Sequence, residues 1–209
     1  MSDKTPKVFL VDDDSGIRSS LSRALTKRGY EVEAFASAEA FLELYDPNQP
    51  GCLVLDYGMP KMNGLELQAT LNERGYAIPI IFITGHGGVA ESVQAIKSGA
   101  IDFLEKPFRQ DVLVERINAA FEIDSTARVE TQSTTQARAD YNNLTDRERE
   151  IANLMISKPS DASSKEIART LDISPRTVDH HRARILEKMN VRSIAELVDL
   201  CSKARVLDQ

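Results

Sequence analysis

Short apolar runs alternate with amphipathic stretches through about the first 120 residues of the chain. The runs that begin at Val8, Cys52 and Ile80 are continuously apolar, as expected of parallel strands that are buried on both faces. Residues 31–35 alternate between charged and apolar side chains, which suits a more exposed strand, and residues 101–104 form a short fifth run. Helical periodicity separates these runs. The order predicts an α/β domain built on a doubly wound, five-stranded parallel sheet, with its functional groups at the carboxyl ends of the strands.

The periodic pattern stops near residue 122 and resumes near residue 142. Residues 123–141 are rich in Ser, Thr and Gln and have little apolar surface to bury, so we interpret them as a linker, part of which is free to extend the preceding helix. Residues 142–209 contain four short helical patterns, the second over residues 165–171. Capping boxes at Thr145 and Ser193 open the first and fourth helices, and Ser174-Pro175 opens a third that runs to Met189. An all-α domain is therefore expected after the linker.

The carboxyl ends of four predicted strands carry ionisable or hydroxyl groups. Asp12 and Asp13 follow the first strand, Asp56 the third and Lys106 the fifth, while Thr84 ends the fourth. Carboxylates gathered at one edge repel each other unless a cation lies among them, and such oxygen ligands suit Mg²⁺. A nucleophilic carboxylate, a metal ion, a hydroxyl and an ammonium together describe a site for a phosphoryl group. Helix capping would explain one acidic residue after a strand, but it does not explain the whole set.

Residues 6–121 resemble the receiver domain of two-component response regulators. The motifs that carry the resemblance are Val11-Asp12-Asp13, Asp56 with Met59-Pro60 and Gly64, Thr84-Gly85, and Lys106-Pro107-Phe108. The resemblance implies a flavodoxin-like receiver domain over residues 6–122, with Asp56 as the phosphoacceptor. It also implies that Mg²⁺ is held by Asp12, Asp13, Asp56 and the backbone carbonyl of Gly58.

The same resemblance assigns the switch residues of the domain. Lys106 is expected to pair with the phosphoryl group, and the Thr84 hydroxyl is expected to turn toward it. The Lys106-Pro107 peptide bond is expected to be cis, which would aim the ammonium group. Phe103 occupies the switch-aromatic position of the fifth strand, and plain core packing is the alternative interpretation of this residue.

Residues 165–171, a turn at Asp172-Ile173-Ser174 and the longer helix after it form a helix-turn-helix pattern. The acidic excess behind the net charge of −6 lies in the first half of the chain. Residues 1–121 carry 12 Lys and Arg against 17 Asp and Glu, whereas residues 142–209 carry 12 against 11. Basic side chains concentrate on the longer helix, which can therefore bind phosphates despite the acidic chain.

The second half resembles the LuxR-type DNA-binding domain, and the whole chain resembles the FixJ/NarL class of transcriptional regulators, closest to the FixJ branch. Its motifs are residues 144–150 and 165–168, Ser174-Pro175-Arg176-Thr177-Val178, His181-Arg182 and Lys188-Met189. The candidate DNA contacts are Lys165, Arg176, Thr177, Asp179, His180, His181, Arg182, Arg184 and Lys188. The candidate dimer contacts are Val89, Val93, Ile96 and Val112 in the receiver, and Ile194, Leu197, Val198 and Cys201 in the last helix. Residues 157–164 form a longer loop than the family usually has.

These features predict a cytoplasmic, non-membrane transcription factor rather than an enzyme. The only chemistry expected of the receiver is autophosphorylation from a phosphodonor and slow autodephosphorylation. A sensor histidine kinase is expected to phosphorylate Asp56, and the phosphorylated protein is expected to form a homodimer that binds double-stranded DNA sequence-specifically. Two alternatives stay open, a regulator that binds DNA without phosphorylation and a receiver that acts as a phosphate sink or binds a protein. A phosphatase that forms an aspartyl-phosphate would need a second acid at the position of Gly58, which argues against that class.

Overall fold

The computed structural model describes residues 4–85, 89–157, 159 and 163–207 of the chain, and the side chains of residues 89–91 lie outside this description, among them the predicted dimer contact Val89. The chain divides into two compact units, with the boundary between Arg128 and Val129. In the part of the chain that the structure describes, no helix is both long enough and apolar enough to cross a lipid bilayer.

The first unit contains the predicted parallel sheet. Its strands are β1 (Lys7–Val11), β2 (Glu31–Phe35), β3 (Gly51–Asp56), β4 (Ile80–Thr84) and β5 (Asp102–Glu105), in the spatial order β2-β1-β3-β4-β5. All four pairings are parallel. This order confirms the flavodoxin-like prediction, and it brings the carboxyl ends of β1 and β3 side by side.

Five helices begin in the first unit: α1 (Ser15–Thr26), α2 (Ala38–Leu44), α3 (Gly64–Glu73), α4 (Val89–Lys97) and α5 (Gln110–Asn142). Asp14 caps α1, because its Oδ1 atom accepts from the backbone N–H groups of Gly16 and Ile17. The sheet separates two cores. Phe9, Phe41, Leu53, Leu67 and Phe82 belong to one, and Leu10, Leu25, Val54, Ile81 and Ile117 belong to the other.

The segment that we interpreted as a linker is helical throughout, because α5 continues without interruption to Asn142. The expectation that only part of this segment extends the preceding helix is therefore corrected, and its role as a linker stays a prediction. Few side chains of the segment are buried, and these are widely spaced. Asp124 is enclosed in the first unit, and Ala137 and Tyr141 join the core of the second. Such sparse anchoring is hard to detect as a periodic apolar pattern.

The second unit contains the four predicted helices, α6 (Asp146–Ser157), α7 (Ser164–Leu171), α8 (Pro175–Lys188) and α9 (Ile194–Lys203). They enclose a single core, whose members include Ile151, Met155, Ile167, Val178, Ile185 and Leu197. The turn between α7 and α8 passes through Asp172, which has a left-handed backbone conformation (φ 52°). This arrangement confirms the helix-turn-helix and presents α8, called the reading helix below, on the surface of the unit.

The predicted helix starts are present, with one difference. Thr145 and Glu148 form the capping box, since each backbone N–H donates to the other's side chain. Ser193 caps α9 by accepting from the backbone N–H of Glu196. The Glu196 carboxylate accepts from the backbone N–H of Arg192, one residue before the cap, so this box is shifted.

Candidate functional site

Lys106 joins two carboxylates at the carboxyl edge of the sheet. Its Nζ atom lies 2.8 Å from Asp12 Oδ2 and 2.7 Å from Asp56 Oδ1. Asp12 follows β1 and Asp56 ends the adjacent strand β3, and they are 1 % and 7 % exposed, respectively. The backbone N–H of Lys106 donates to the carbonyl of Thr84 at 2.6 Å, and its peptide bond to Pro107 is cis as expected. The structure thus brings the proposed phosphoacceptor, an acidic neighbour and an ammonium group together.

Burial and pairing shift the pKa in opposite directions, both for Asp12 and for Lys106. Burial raises the pKa of Asp12, and the hydrogen bond from Lys106 only partly offsets this effect. Burial alone would lower the pKa of Lys106, but the hydrogen bonds to Asp12 and Asp56 outweigh it, so the net shift is upward. The ammonium group is therefore held in its charged form beside the two carboxylates, ready to meet a further anion.

Asp13 does not join the pair. Its side chain is exposed, and within the described residues no three Asp, Glu, His or Cys side chains lie close enough to bind one metal ion together. The expected cluster of Asp12, Asp13 and Asp56 is thus not assembled in this arrangement, in which Lys106 pairs with Asp12 and Asp56. Arg18 instead fixes the backbone here, because its Nη1 atom donates to the carbonyls of Asp12 and Asp13 at 2.7 and 3.0 Å.

The loop after β3 depends on two glycines. The backbone N–H of Gly58 donates to Asp56 Oδ2 at 2.8 Å, so both carboxylate oxygens of Asp56 have partners. A Cβ atom on Gly64 would lie 2.7 Å from the Asp56 carbonyl oxygen and 2.7 Å from the Phe82 ring. Only glycine fits this close approach without displacing the Asp56 backbone.

The two switch candidates lie beside this loop. Thr84 is buried at the end of β4, next to Glu105 in the sheet register. Phe103 is half-buried, and its ring centroid lies 6.1 Å from those of Tyr57 and Phe82. This inward position suits core packing, and a switching movement of either side chain stays a prediction.

The reading helix presents a stripe of exposed side chains. Arg176, His180 and Arg184 are spaced four residues apart and are exposed. Within the described residues none of the three makes a side-chain hydrogen bond or ion pair. Lys165 on α7 is also exposed, whereas Thr177 shares a hydrogen bond with the cap residue Ser174. The stripe is therefore available for base edges or phosphates.

Other candidates on this helix are engaged within the unit. Asp179 and Arg182 both contact Ser164, and His181 is half-buried. Lys188 donates to Glu148 Oε2 at 2.6 Å, which makes it a link between α8 and α6. Lys188 thus has a structural partner, and its contact with DNA stays a prediction.

Glu148 is a buried acid, which the sequence pattern indicates only as a member of the capping box at Thr145. It is 2 % exposed, and its Oε2 atom accepts from the Thr145 backbone N–H, the Thr145 hydroxyl and Lys188. Burial favours the neutral acid, but the hydrogen bonds from Lys188 and Thr145 outweigh it and lower the pKa of Glu148 to about 2.

The predicted dimer contacts fall into two groups. Leu197 and Cys201 are 0 % and 2 % exposed because this face of α9 packs into the core, so they are wrong as surface contacts. The other five whose side chains the structure describes are accessible. Val93 and Ile96 are exposed on α4, Val112 is half-buried on α5, and Ile194 and Val198 are half-buried on α9.

Comparison with known proteins agrees with both units. Residues 8–118 match the response regulator receiver domain, and residues 142–201 match the luxR family of bacterial regulatory proteins. The chain is 38 % identical over 205 residues to the response regulator protein TodT of Pseudomonas putida, covering 98 % of this chain and 89 % of TodT.

Two further similarities extend over nearly the whole length. The transcriptional regulatory protein FixJ of Rhizobium meliloti is 41 % identical over 191 residues, which cover 91 % of this chain and 92 % of FixJ. The solved structure of the response regulator StyR superposes with a TM-score of 0.81 at 42 % identity, covering 95 % of this chain and 98 % of StyR.

Proposed function

The chain belongs to the response regulators that combine a receiver domain with a LuxR-type DNA-binding domain, and we propose that a phosphoryl group on Asp56 controls its binding to DNA. Its relatives are transcriptional regulatory proteins, and its function as a regulator of that kind follows from the two domains. The observation that carries the proposal is the position of Lys106, 2.7 Å from Asp56 and 2.8 Å from Asp12 at the carboxyl edge of the sheet.

The proposed chemistry is the transfer of a phosphoryl group from a histidine kinase or a small phosphodonor. A carboxylate oxygen of Asp56 forms the new bond to phosphorus, and the bond from phosphorus to the donor breaks. Lys106 then exchanges part of its contact with Asp56 for the phosphoryl oxygens, so the ammonium group follows the new charge. Apart from this transfer and the slow hydrolysis of the aspartyl-phosphate, which releases inorganic phosphate and restores Asp56, we assign the chain no catalytic activity.

The residues of the edge fit a divalent cation by their donor chemistry. Asp12, Asp13 and Asp56 and the carbonyl of Gly58 offer oxygen atoms, which Mg²⁺ prefers. When bound, the ion supplies positive charge that neutralises the phosphoryl oxygens. Receiver domains generally bind Mg²⁺ at the phosphorylation site, and the Arg18 contacts keep the backbone of Asp12 and Asp13 in place for this purpose.

The new charge biases an equilibrium between two arrangements of the receiver. We propose that Thr84 turns toward the phosphoryl group and that the packing around Phe103 changes with it. The face that carries Val93, Ile96 and Val112 then pairs two copies in the cytoplasm. Two reading helices can thereby engage DNA half-sites about one helical turn apart.

The test is DNA affinity before and after treatment with acetyl phosphate and Mg²⁺. Duplexes selected from a randomised pool by the treated protein serve as the probe in a mobility-shift assay. We expect the donor to tighten binding by the wild type and not by Asp56→Asn, whereas Asp111→Asn, which alters an exposed carboxylate, should behave as wild type. Equal binding with and without the donor would favour the phosphorylation-independent alternative. Labelling without any DNA binding would favour the phosphate sink.

A further inference from the structure

Ser164 connects the first helix of the helix-turn-helix to two side chains of the reading helix. Its hydroxyl donates to Asp179 Oδ1 and accepts from Arg182 Nη1, the latter at 2.8 Å. Asp179 and Arg182 are three residues apart and therefore lie on the same side of α8. One hydroxyl thus holds an acidic and a basic side chain of the DNA-facing helix at the same time.

The fold of α7 does not depend on this hydroxyl. The cap of α7 is the preceding residue, Ser163, whose Oγ atom accepts from the backbone N–H of Glu166 at 3.2 Å. Ile167 and Ala168 anchor α7 in the core, and Ser164 itself is half-buried at the surface. Removing the Ser164 hydroxyl should therefore leave the helix in place and release Asp179 and Arg182.

An unconstrained Asp179 would be unfavourable near DNA. A mobile carboxylate on this helix repels phosphates, whereas a carboxylate fixed toward the groove can accept from the amino group of cytosine. Arg182 loses side-chain entropy when it binds, and a contact that orders it beforehand reduces this cost. The link through Ser164 also places the Arg182 guanidinium close to the Asp179 carboxylate. The positive charge reduces the repulsion between this carboxylate and the DNA phosphates.

We propose that Ser164 is a positioning residue for sequence reading: it fixes Asp179 and Arg182 so that the reading helix discriminates between base pairs. The proposal rests on the proposed function, since it requires the phosphorylated protein to select DNA. Loss of the Ser164 hydroxyl should affect selectivity more than total affinity, because the exposed stripe of Arg176, His180 and Arg184 remains intact without it.

The experiment compares full-length Ser164→Ala, Ser164→Thr and Ser163→Ala with the wild type. Each protein is treated with acetyl phosphate and Mg²⁺ and selects duplexes from a pool with a randomised central segment. The affinities for the wild-type consensus and for mixed-sequence DNA are then measured. We expect Ser164→Ala to reduce the ratio of consensus affinity to mixed-sequence affinity about tenfold, which is the size of one base-specific contact. Its affinity for mixed-sequence DNA should be nearly unchanged.

The control variants separate positioning from stability. Ser164→Thr keeps a hydroxyl and should restore the wild-type ratio. Ser163→Ala should lower the melting temperature of the protein and leave the ratio unchanged, because it removes the cap and spares the link. In an Asp179→Ala, Arg182→Ala background, Ser164→Ala should have no further effect on the ratio.

Three outcomes would overturn the inference: an unchanged ratio in Ser164→Ala, an equal loss in Ser163→Ala, or an additional loss in the background that lacks Asp179 and Arg182. If the treated wild type selected no sequence at all, the proposed function would fail first. That result is distinguishable, because it appears before any variant is compared.

Discussion

Replacing Glu148 by Gln tests whether the ion pair between this buried acid and Lys188 holds the reading helix in the DNA-binding unit. Gln keeps an acceptor for the Thr145 backbone N–H, so the capping box survives in part. The charge partner of Lys188, 2.6 Å away in the wild type, is lost. The substitution therefore isolates the contribution of the ion pair from that of the helix cap.

The magnitude follows from the pKa of Glu148. A fall from 4.5 to about 2 corresponds to about 3 kcal/mol of preference for the ionised form in the folded state. Lys188 is 39 % exposed, so solvent screening reduces the share that the pair contributes, and we expect about 2 kcal/mol. Because the folded-state pKa is lower than the unfolded one, this stabilisation is complete above pH 4.5 and is lost as the pH falls toward 2.

The assay follows urea unfolding of the second unit through the methyl groups of Met155 and Met189, which are both buried there. Carbon-13 methyl labelling makes these signals specific to the unit in the full-length chain. We expect Glu148→Gln to lower the free energy of unfolding by about 2 kcal/mol at pH 7 and to flatten its decline between pH 5 and pH 3. Glu150→Gln, which alters an exposed ion pair, should change it by less than about 0.5 kcal/mol. Parallel acid profiles for Glu148→Gln and the wild type would refute the reasoning.

Four further substitutions give equally specific expectations. Gly64→Ala places a Cβ atom 2.7 Å from backbone and ring atoms. It should lower receiver stability in urea titrations by about 1–3 kcal/mol and slow labelling by acetyl phosphate. Unchanged stability would contradict the close approach. Asp124→Asn removes the charge that pairs with Arg128 at 2.8 Å and should lower the unfolding free energy of the first unit by about 2 kcal/mol. An unchanged unfolding free energy would contradict a stabilising role for this pair. Arg184→Met should weaken DNA binding and lower the slope of log affinity against log salt concentration by about one. Lys188→Met should lower the stability of the second unit and have a smaller effect on that slope. Equal slopes for the two variants would show that Lys188 contacts phosphate.

The sheet and its active edge were predictable because each depends on a local pattern. Apolar runs such as Val8-Phe9-Leu10-Val11 form strands only when both faces are buried, and the residues after them must gather at one edge. The meeting of Asp12, Asp56 and Lys106 follows from that topology alone.

Other features depended on contacts between distant residues. The continuation of α5 rests on buried Asp124, which accepts from the backbone N–H of Gly51, a contact that no periodicity reveals. Lys188 has the charge of a DNA-binding residue, and its pairing with Glu148, 40 positions earlier, appears only in the folded unit. Leu197 and Cys201 are spaced as a helix face, but the sequence does not show whether that face meets the core or a second copy.

The claim that everything else depends on is the capture of a phosphoryl group by Asp56. The most direct measurement is mass spectrometry of the full-length protein after incubation with acetyl phosphate and Mg²⁺, followed by mapping of the modified peptide. We predict one phosphoryl group per chain, carried by the peptide that contains Asp56, and none on Asp56→Asn. An unmodified wild-type chain that is folded, or a phosphoryl group on a different residue, would contradict the account.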